Sequence, residues 1–188
     1  SASGVGYYGH RGDEELAEAA PAGDDFVAQV CATWEREAEA AAALGMRVVR
    51  MRTGVVLDAS GGALAKMLPF FRAGVGGPVA GGRQYLSWIG ADDVVALYLA
   101  ALDGAGWSGP VNATAPDPVT NREFSRRLGR ALHRPAFAPV PGLAVRLLYG
   151  DMAEIVTTGQ RVVPARALAL GFRHRDADLD AALRRALG

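Results

Sequence analysis

Between residues 24 and 44 the apolar side chains Phe26, Val27, Val30, Cys31, Trp34, Ala38 and Ala41 return at helical spacing, which predicts one long helix. Asp24 or Asp25 stands where an N-cap is wanted, and Gly45 stands where the helix should stop. The next stretch, MRVVRMRTGVVLD (46–58), is rich in valine and reads as a single strand. Ahead of the helix, SASGVGYYG (1–9) runs from small residues into two tyrosines, the pattern of a buried strand end opening into a loop. Strand, helix and strand in that order make a βαβ crossover, so the two strands should pair in parallel. In such sheets ligands sit beyond the carboxyl ends of the strands, which draws attention to the serines and tyrosines of 1–9.

Further along, Gly61 and Gly62 interrupt the chain before a short helix, ALAKMLPFFRAG. The glycine-rich run GVGGPVAGGRQ precedes a predicted strand, YLSWI. It is no P-loop, because neither a lysine with Ser/Thr nor a helix follows it; a hairpin or flap is expected. ADDVVALYLAAL predicts a second clear helix, with Asp92 and Asp93 at its positive end, suited to capping more than to acid/base work. PVNATA reads as a short strand, and Thr120 or Asn121 should cap the helix NREFSRRLGRALHR, with Glu123 near its start. Beyond Pro135 prolines separate short elements: a strand-like AFAPV, a helix over 142–149, a turn reaching Thr158, and a terminal helix in DADLDAALRRAL. The change of texture near residue 110 divides the chain into an α/β part (1–109, with an insertion at about 58–90) and a small, mainly helical lobe (110–188).

Composition narrows the classes. The 188 residues are 50% hydrophobic and 21% charged, enough for a globular core. Zero formal net charge argues against a nucleic-acid surface. One cysteine, Cys31, leaves no internal disulfide and suits a reducing compartment. His10, His133 and His174 are far apart and lack metal-ligand spacing, and no apolar run is of membrane-spanning length. A soluble cytoplasmic protein, with no metal and no membrane or nucleic-acid partner, is the expectation.

Nine stretches in register carry a resemblance: SASGVGYYG, GDEELAE, the helix bearing Trp34-Glu35, RMRTGVVLD, GGAL, GGPVAGGRQYLSWIGADDVV, GPVNATAPDPVTNREF, RPAFAPVP and GQRVVPARALALGF. Together they resemble the extended short-chain dehydrogenase/reductases, and most closely their atypical epimerase-like branch. The last three are similar to that branch's C-terminal domain. The resemblance implies a doubly wound parallel sheet of Rossmann type, with a small helical lobe, and NADP(H) or NAD(H) as cofactor. It further implies that the glycine-rich GxxGxxG turn of the family, absent here, belongs to units ahead of Ser1, so that the chain is the C-terminal part of a longer protein unable to hold a dinucleotide alone.

Superfamily enzymes use a tyrosine as general base with a lysine four residues on, one helical turn away. None of Tyr7, Tyr8, Tyr85, Tyr98 and Tyr149 has such a lysine; Lys66 is the only one, and Gly62 precedes it by four. Matching through Glu35 puts Val27 and Cys31 in the tyrosine and lysine places, either bordering the nicotinamide or simply packing. Ser3, with Ser1 as the fallback, matches the substrate-orienting serine, or is a small residue required by tight packing. Tyr7 and Tyr8 match a cleft-lining tyrosine–glycine pair and complete the catalytic candidates. Thr53, Gly54 and Val55 match the segment that passes the nicotinamide amide and join Cys31 as cofactor candidates. Gln84, Trp88 and Arg161 match positions that close over a small-molecule substrate, with Arg161 suited to a phosphate or carboxylate or to an ordinary ion pair.

Two functional classes follow from the resemblance. One is an oxidoreductase or epimerase of altered mechanism acting on a small carbonyl, carbinol or sugar nucleotide. The other is a dinucleotide-binding sensor or scaffold without chemistry, which the missing dyad favours; a structural remnant is a third reading. Family analogy also implies a homodimer through the 24–44 helix.

Overall fold

The computed structural model describes residues 1–140 and 157–188. Three strands, β1 (Ala2–Gly4), β3 (Val49–Thr53) and β7 (Gly109–Ala113), form a parallel sheet in the order β1-β3-β7. After β1 the chain makes a 3-10 turn, Val5–Tyr8, then the two-residue strand β2 (Glu15–Leu16), then α1 (Phe26–Glu39). The expected βαβ unit is therefore present, with β1 and β3 parallel. Asp25 caps α1 by accepting a hydrogen bond from the Ala28 N–H at 2.8 Å. A 3-10 turn, Ala40–Leu44, ends at Gly45 with a left-handed φ of 81°, which glycine adopts without a side-chain clash.

The face of α1 that is buried differs from the one its largest apolar residues predict. Ala28, Cys31 and Glu35 are buried, while Phe26 and Trp34 are 77% and 58% exposed. Close approach explains the choice. A Cβ on Gly6 would lie 2.5 Å from Val27 Cγ1, so helix and turn meet where side chains are small or absent.

The single strand expected over 46–58 is two strands. β3 ends at Thr53, opposite Ala113 of β7, and β4 (Val55–Leu57) pairs in parallel with β6 (Trp88–Gly90). Gly54 makes the switch: its N–H donates to Ala113 O at 3.1 Å, while the Val55 N–H donates to Ser87 O at 2.8 Å. A Cβ on Gly54 would sit 2.5 Å from Ser87 O, so the junction admits no side chain. YLSWI divides in the same way at Ser87. β5 (Tyr85–Leu86) pairs antiparallel with β8 (Val119–Thr120), and β6 goes to β4.

Helix α2 (Gly62–Arg72) and helix α3 (Ala91–Asp103) follow the predicted positions. The Asp92–Asp93 pair does not cap α3. Buried Asp93 instead accepts from the backbone N–H groups of Arg175 (2.8 Å) and Asp176 (3.1 Å), and Asp92 pairs with the Arg175 side chain at 2.8 Å. These carboxylates hold the C-terminal segment against the helix. Thr120 caps α4 (Asn121–Ala131), accepting from the Glu123 N–H at 3.3 Å. AFAPV contributes an isolated bridge between Val79 and Val140 in place of a strand. The helix expected over 142–149 lies outside the described residues. β9 (Arg161–Val162) pairs in parallel with β2, and α5 (Ala165–Ala169) and α6 (Leu179–Leu187) complete the chain.

Two large apolar clusters carry most of the packing, and a small third joins Tyr8, Leu16 and Val162. Val49 and Met51 of β3 meet Ile89, Leu97, Trp107 and Val111. Leu57, Leu68, Phe71, Trp88, Phe124 and Leu183 form the other. No helix among the described residues is long and apolar enough to cross a membrane.

Candidate functional site

Two cavities stand out among the described residues, and the smaller lies at the carboxyl ends of β1 and β3. The smaller, about 250 Å³, is bounded by Gly4 and Gly6 of the first turn, Val27 and Cys31 of α1, Thr53 to Val55 at the strand switch, and Thr158 and Gln160 from the C-terminal segment. All four residues proposed for the cofactor, Cys31, Thr53, Gly54 and Val55, thus meet on one cavity. The larger, about 780 Å³ and open, is lined by His10, Arg83, Gln84, Tyr85, Arg122 and Thr157 among others. Thr157 borders one cavity and Thr158 the other, so the same short segment runs between them.

The serine and tyrosines of the opening stretch gather elsewhere. Arg52, 3% exposed, is the hub: its Nε and Nη2 donate to the two Glu35 carboxylate oxygens at 2.8 Å each, and its Nη1 donates to Tyr8 Oη at 3.0 Å. Tyr8 is fully buried and donates to Asn112 Oδ1 at 2.6 Å. Ser3 Oγ donates to Glu35 Oε1 at 2.8 Å. The Arg52 guanidinium lies over the Tyr7 ring, 3.4 Å from its centroid, a cation–π contact. Neither Ser3, Tyr7 nor Tyr8 lines either cavity. Burial pushes the Tyr8 phenol above its ordinary range, against the pull of Arg52, so at neutral pH it is a protonated hydrogen-bonding group. Burial disfavours the Arg52 charge too, but the hydrogen bonds to Glu35 and Tyr8 more than offset it and hold the guanidinium above the ordinary arginine value.

Cys31 is 5% exposed, and burial raises its thiol above the usual range. The thiol is therefore held protonated and carries no charge that could lower a neighbouring phenol's pKa. Of the substrate candidates, Gln84 lines the larger cavity and its Nε2 donates to Val79 O at 3.1 Å. Trp88 is fully buried and donates from Nε1 to Asp117 O at 2.9 Å, a core role. Arg161 pairs with Glu15 at 3.1 Å and lies 5.5 Å from the Tyr85 ring centroid.

Arg52 and Gln160 were not singled out in the sequence. VRMRT does carry a signal for the first, because an arginine alternating with buried valine and methionine on a central strand demands a buried acid. Nothing local marks Gln160, which reaches the small cavity only because Ser87 Oγ donates to its carbonyl at 2.7 Å. No group of three or more metal-ligating side chains occurs among the described residues.

This parallel sheet with crossover helices and a cavity at its carboxyl edge is the α/β architecture of the short-chain dehydrogenase/reductases. The chain is similar over more than nine-tenths of its length to proteins of the epimerase family. A domain of unknown function, DUF1731, matches residues 140–186. The chain is 45% identical over 175 residues to the chloroplastic epimerase family protein SDR39U1 homolog of Arabidopsis thaliana, covering 93% of this chain and 50% of that protein. Among solved structures it is similar to the human epimerase family protein SDR39U1 (isoform 2) with NADPH: TM-score 0.92, 38% identity, 100% of this chain and 64% of that one. It is also similar to the nucleoside-diphosphate sugar epimerase of Corynebacterium glutamicum: TM-score 0.80, 37% identity, 100% of this chain and 37% of that one. The chain thus spans about half the length of the Arabidopsis relative.

Proposed function

We propose that this chain forms the nicotinamide and substrate side of an NADP(H)-dependent oxidoreductase or epimerase of altered mechanism. The observation that carries the reading is the convergence of Cys31, Thr53, Gly54 and Val55, from a helix and a strand switch, on one cavity at the carboxyl edge of the sheet. That cavity has room for a planar pyridine carboxamide and is walled on one side by backbone that glycine leaves bare. When bound, the nicotinamide supplies hydride chemistry. The pyrophosphate-binding turn belongs, on this reading, to the part of the relatives' length that this chain does not span.

The substrate's place is the larger cavity. Arg83 and Arg122 outnumber Asp13 on its wall, and no carboxylate is paired to either arginine among the described residues, which favours an anionic carbonyl or carbinol compound, a sugar nucleotide included. Ser3, Tyr7 and Tyr8 serve the smaller cavity from behind, by holding the turn that carries Gly4 and Gly6 against α1. Without a tyrosine–lysine dyad, the protein's own contribution is binding and orientation. The same absence favours a second reading, a dinucleotide-binding sensor without turnover.

NADPH and NADH binding to the full-length protein, measured by fluorescence and calorimetry, tests the first step. A panel of sugar nucleotides, quinones and small carbonyls, assayed for cofactor oxidation, tests the second. Binding with turnover supports the enzyme and binding without turnover the sensor. Failure to bind either dinucleotide refutes both.

A further inference from the structure

The polar groups around the small cavity are almost all committed. Asp25 caps α1, Thr53 Oγ1 leans on Met51 O at 3.4 Å, and the Gly54 and Val55 N–H groups belong to the sheet. The Gln160 side chain is different. Its backbone carbonyl is held by Ser87 Oγ at 2.7 Å, and the Val162 N–H two residues on donates back to Ser87 Oγ at 2.9 Å. The backbone is thus pinned, yet the carboxamide makes no hydrogen bond among the described residues while it borders the cavity. A primary amide has two donors and an acceptor to satisfy.

Its position on the wall says what it would meet. Ser87 ties Gln160 on one side and accepts from the Val55 N–H on the other, at 2.8 Å, so Gln160 stands beside Gly54 and Val55. Val27, Gly6 and the Cys31 thiol come from α1 and the first turn. A pyridine carboxamide seated with its ring toward that apolar side would have its amide facing Gln160.

We infer that Gln160 recognises the nicotinamide carboxamide, its side-chain N–H donating to the ligand's carbonyl and its side-chain oxygen accepting from the ligand's NH₂. The inference rests on the NADP(H) reading above and adds a residue from the C-terminal segment to the cofactor site.

The test uses the full-length protein, NADPH, and the 3-acetylpyridine analogue of NADPH, which keeps the ring and carbonyl but replaces the amide NH₂ with methyl. Wild type should bind NADPH about fivefold to tenfold more tightly than the analogue, the factor one neutral hydrogen bond supplies. In Gln160→Ala, and in Gln160→Leu, which keeps the bulk, that preference should shrink by about fivefold. If both variants keep the wild-type preference, or wild type has none, the inference is wrong while the cofactor reading stands. If wild type binds neither dinucleotide, the cofactor reading fails and takes the inference with it.

Discussion

Glu35→Ala is the most informative perturbation of the buried network. Glu35 and Arg52 are 4% and 3% exposed and share two 2.8 Å hydrogen bonds; the same carboxylate accepts Ser3 Oγ and lies 4.0 Å from Arg50 Nε. Removing it leaves the Arg52 Nε and Nη2 donors without acceptors, and only Nη1 keeps Tyr8 Oη and Glu18 O, at 3.0 and 3.2 Å. Breaking one side of a buried pair costs about 3–5 kcal/mol, because a desolvated charge is stranded. Arg50 is a second cation that keeps its own partner, Glu39, at 3.0 Å and cannot compensate Arg52, which puts the expected loss at about 4 kcal/mol, a large share of a domain's stability. Arg52→Met alone should cost a similar amount, whereas the double variant Glu35→Leu with Arg52→Met should cost far less than the sum, by roughly 2 kcal/mol or more. Urea unfolding of the full-length protein, followed by the fluorescence of its tryptophans, measures all three at unchanged slope. A Glu35→Ala loss under about 1 kcal/mol would be the value of a surface ion pair, and strict additivity in the double variant would mean the two charges do not interact; either result sinks the reasoning.

Gly54→Ala forces a Cβ to within 2.5 Å of Ser87 O and 3.1 Å of Thr114 Cγ2, so the strand switch must shift. A destabilisation of about 1–3 kcal/mol is expected, read by urea unfolding, and an unchanged midpoint would show that the junction yields freely. Burial holds the His174 imidazole below the usual histidine range, where Nε2 donates to Thr114 O at 2.8 Å. The unfolded chain therefore binds a proton that the folded chain resists, so this contribution to stability is complete above the unfolded value of about 6.5 and is lost as the pH falls through it. Unfolding free energies from pH 8 to 5 should fall in wild type and fall less steeply in His174→Gln; equal slopes would refute a buried neutral ring.

Residues 26–39 formed the predicted helix because capping and periodicity act within a few residues: Asp25 reaches the Ala28 N–H, and Gly45 alone supplies the left-handed stop. The absence of a tyrosine with a lysine four residues on, and the nine motifs that mark the family, are likewise properties of the chain read alone. The side of α1 that would be buried was not legible, since Phe26 and Trp34 outrank Cys31 in apolar area and still lie outside. Where strands 46–58 and 85–89 change partner was equally hidden, because both breaks are set by Ser87 meeting Gly54 across the fold.

The candidate site divides along the same line. The sequence by itself singled out Cys31, Thr53, Gly54 and Val55 through their resemblance to a family segment, and the four do share a cavity. Only the tertiary structure decided that Ser3 and Tyr8 turn away from it toward Glu35, Arg52 and Asn112, and that Gln160 turns toward it. The physical reason is the reach of the interactions. Helix caps and periodicity depend on backbone geometry within one or two turns. A buried charge, by contrast, is tolerated only where a partner from another element meets it, and a side chain is left unpaired only where no other element arrives.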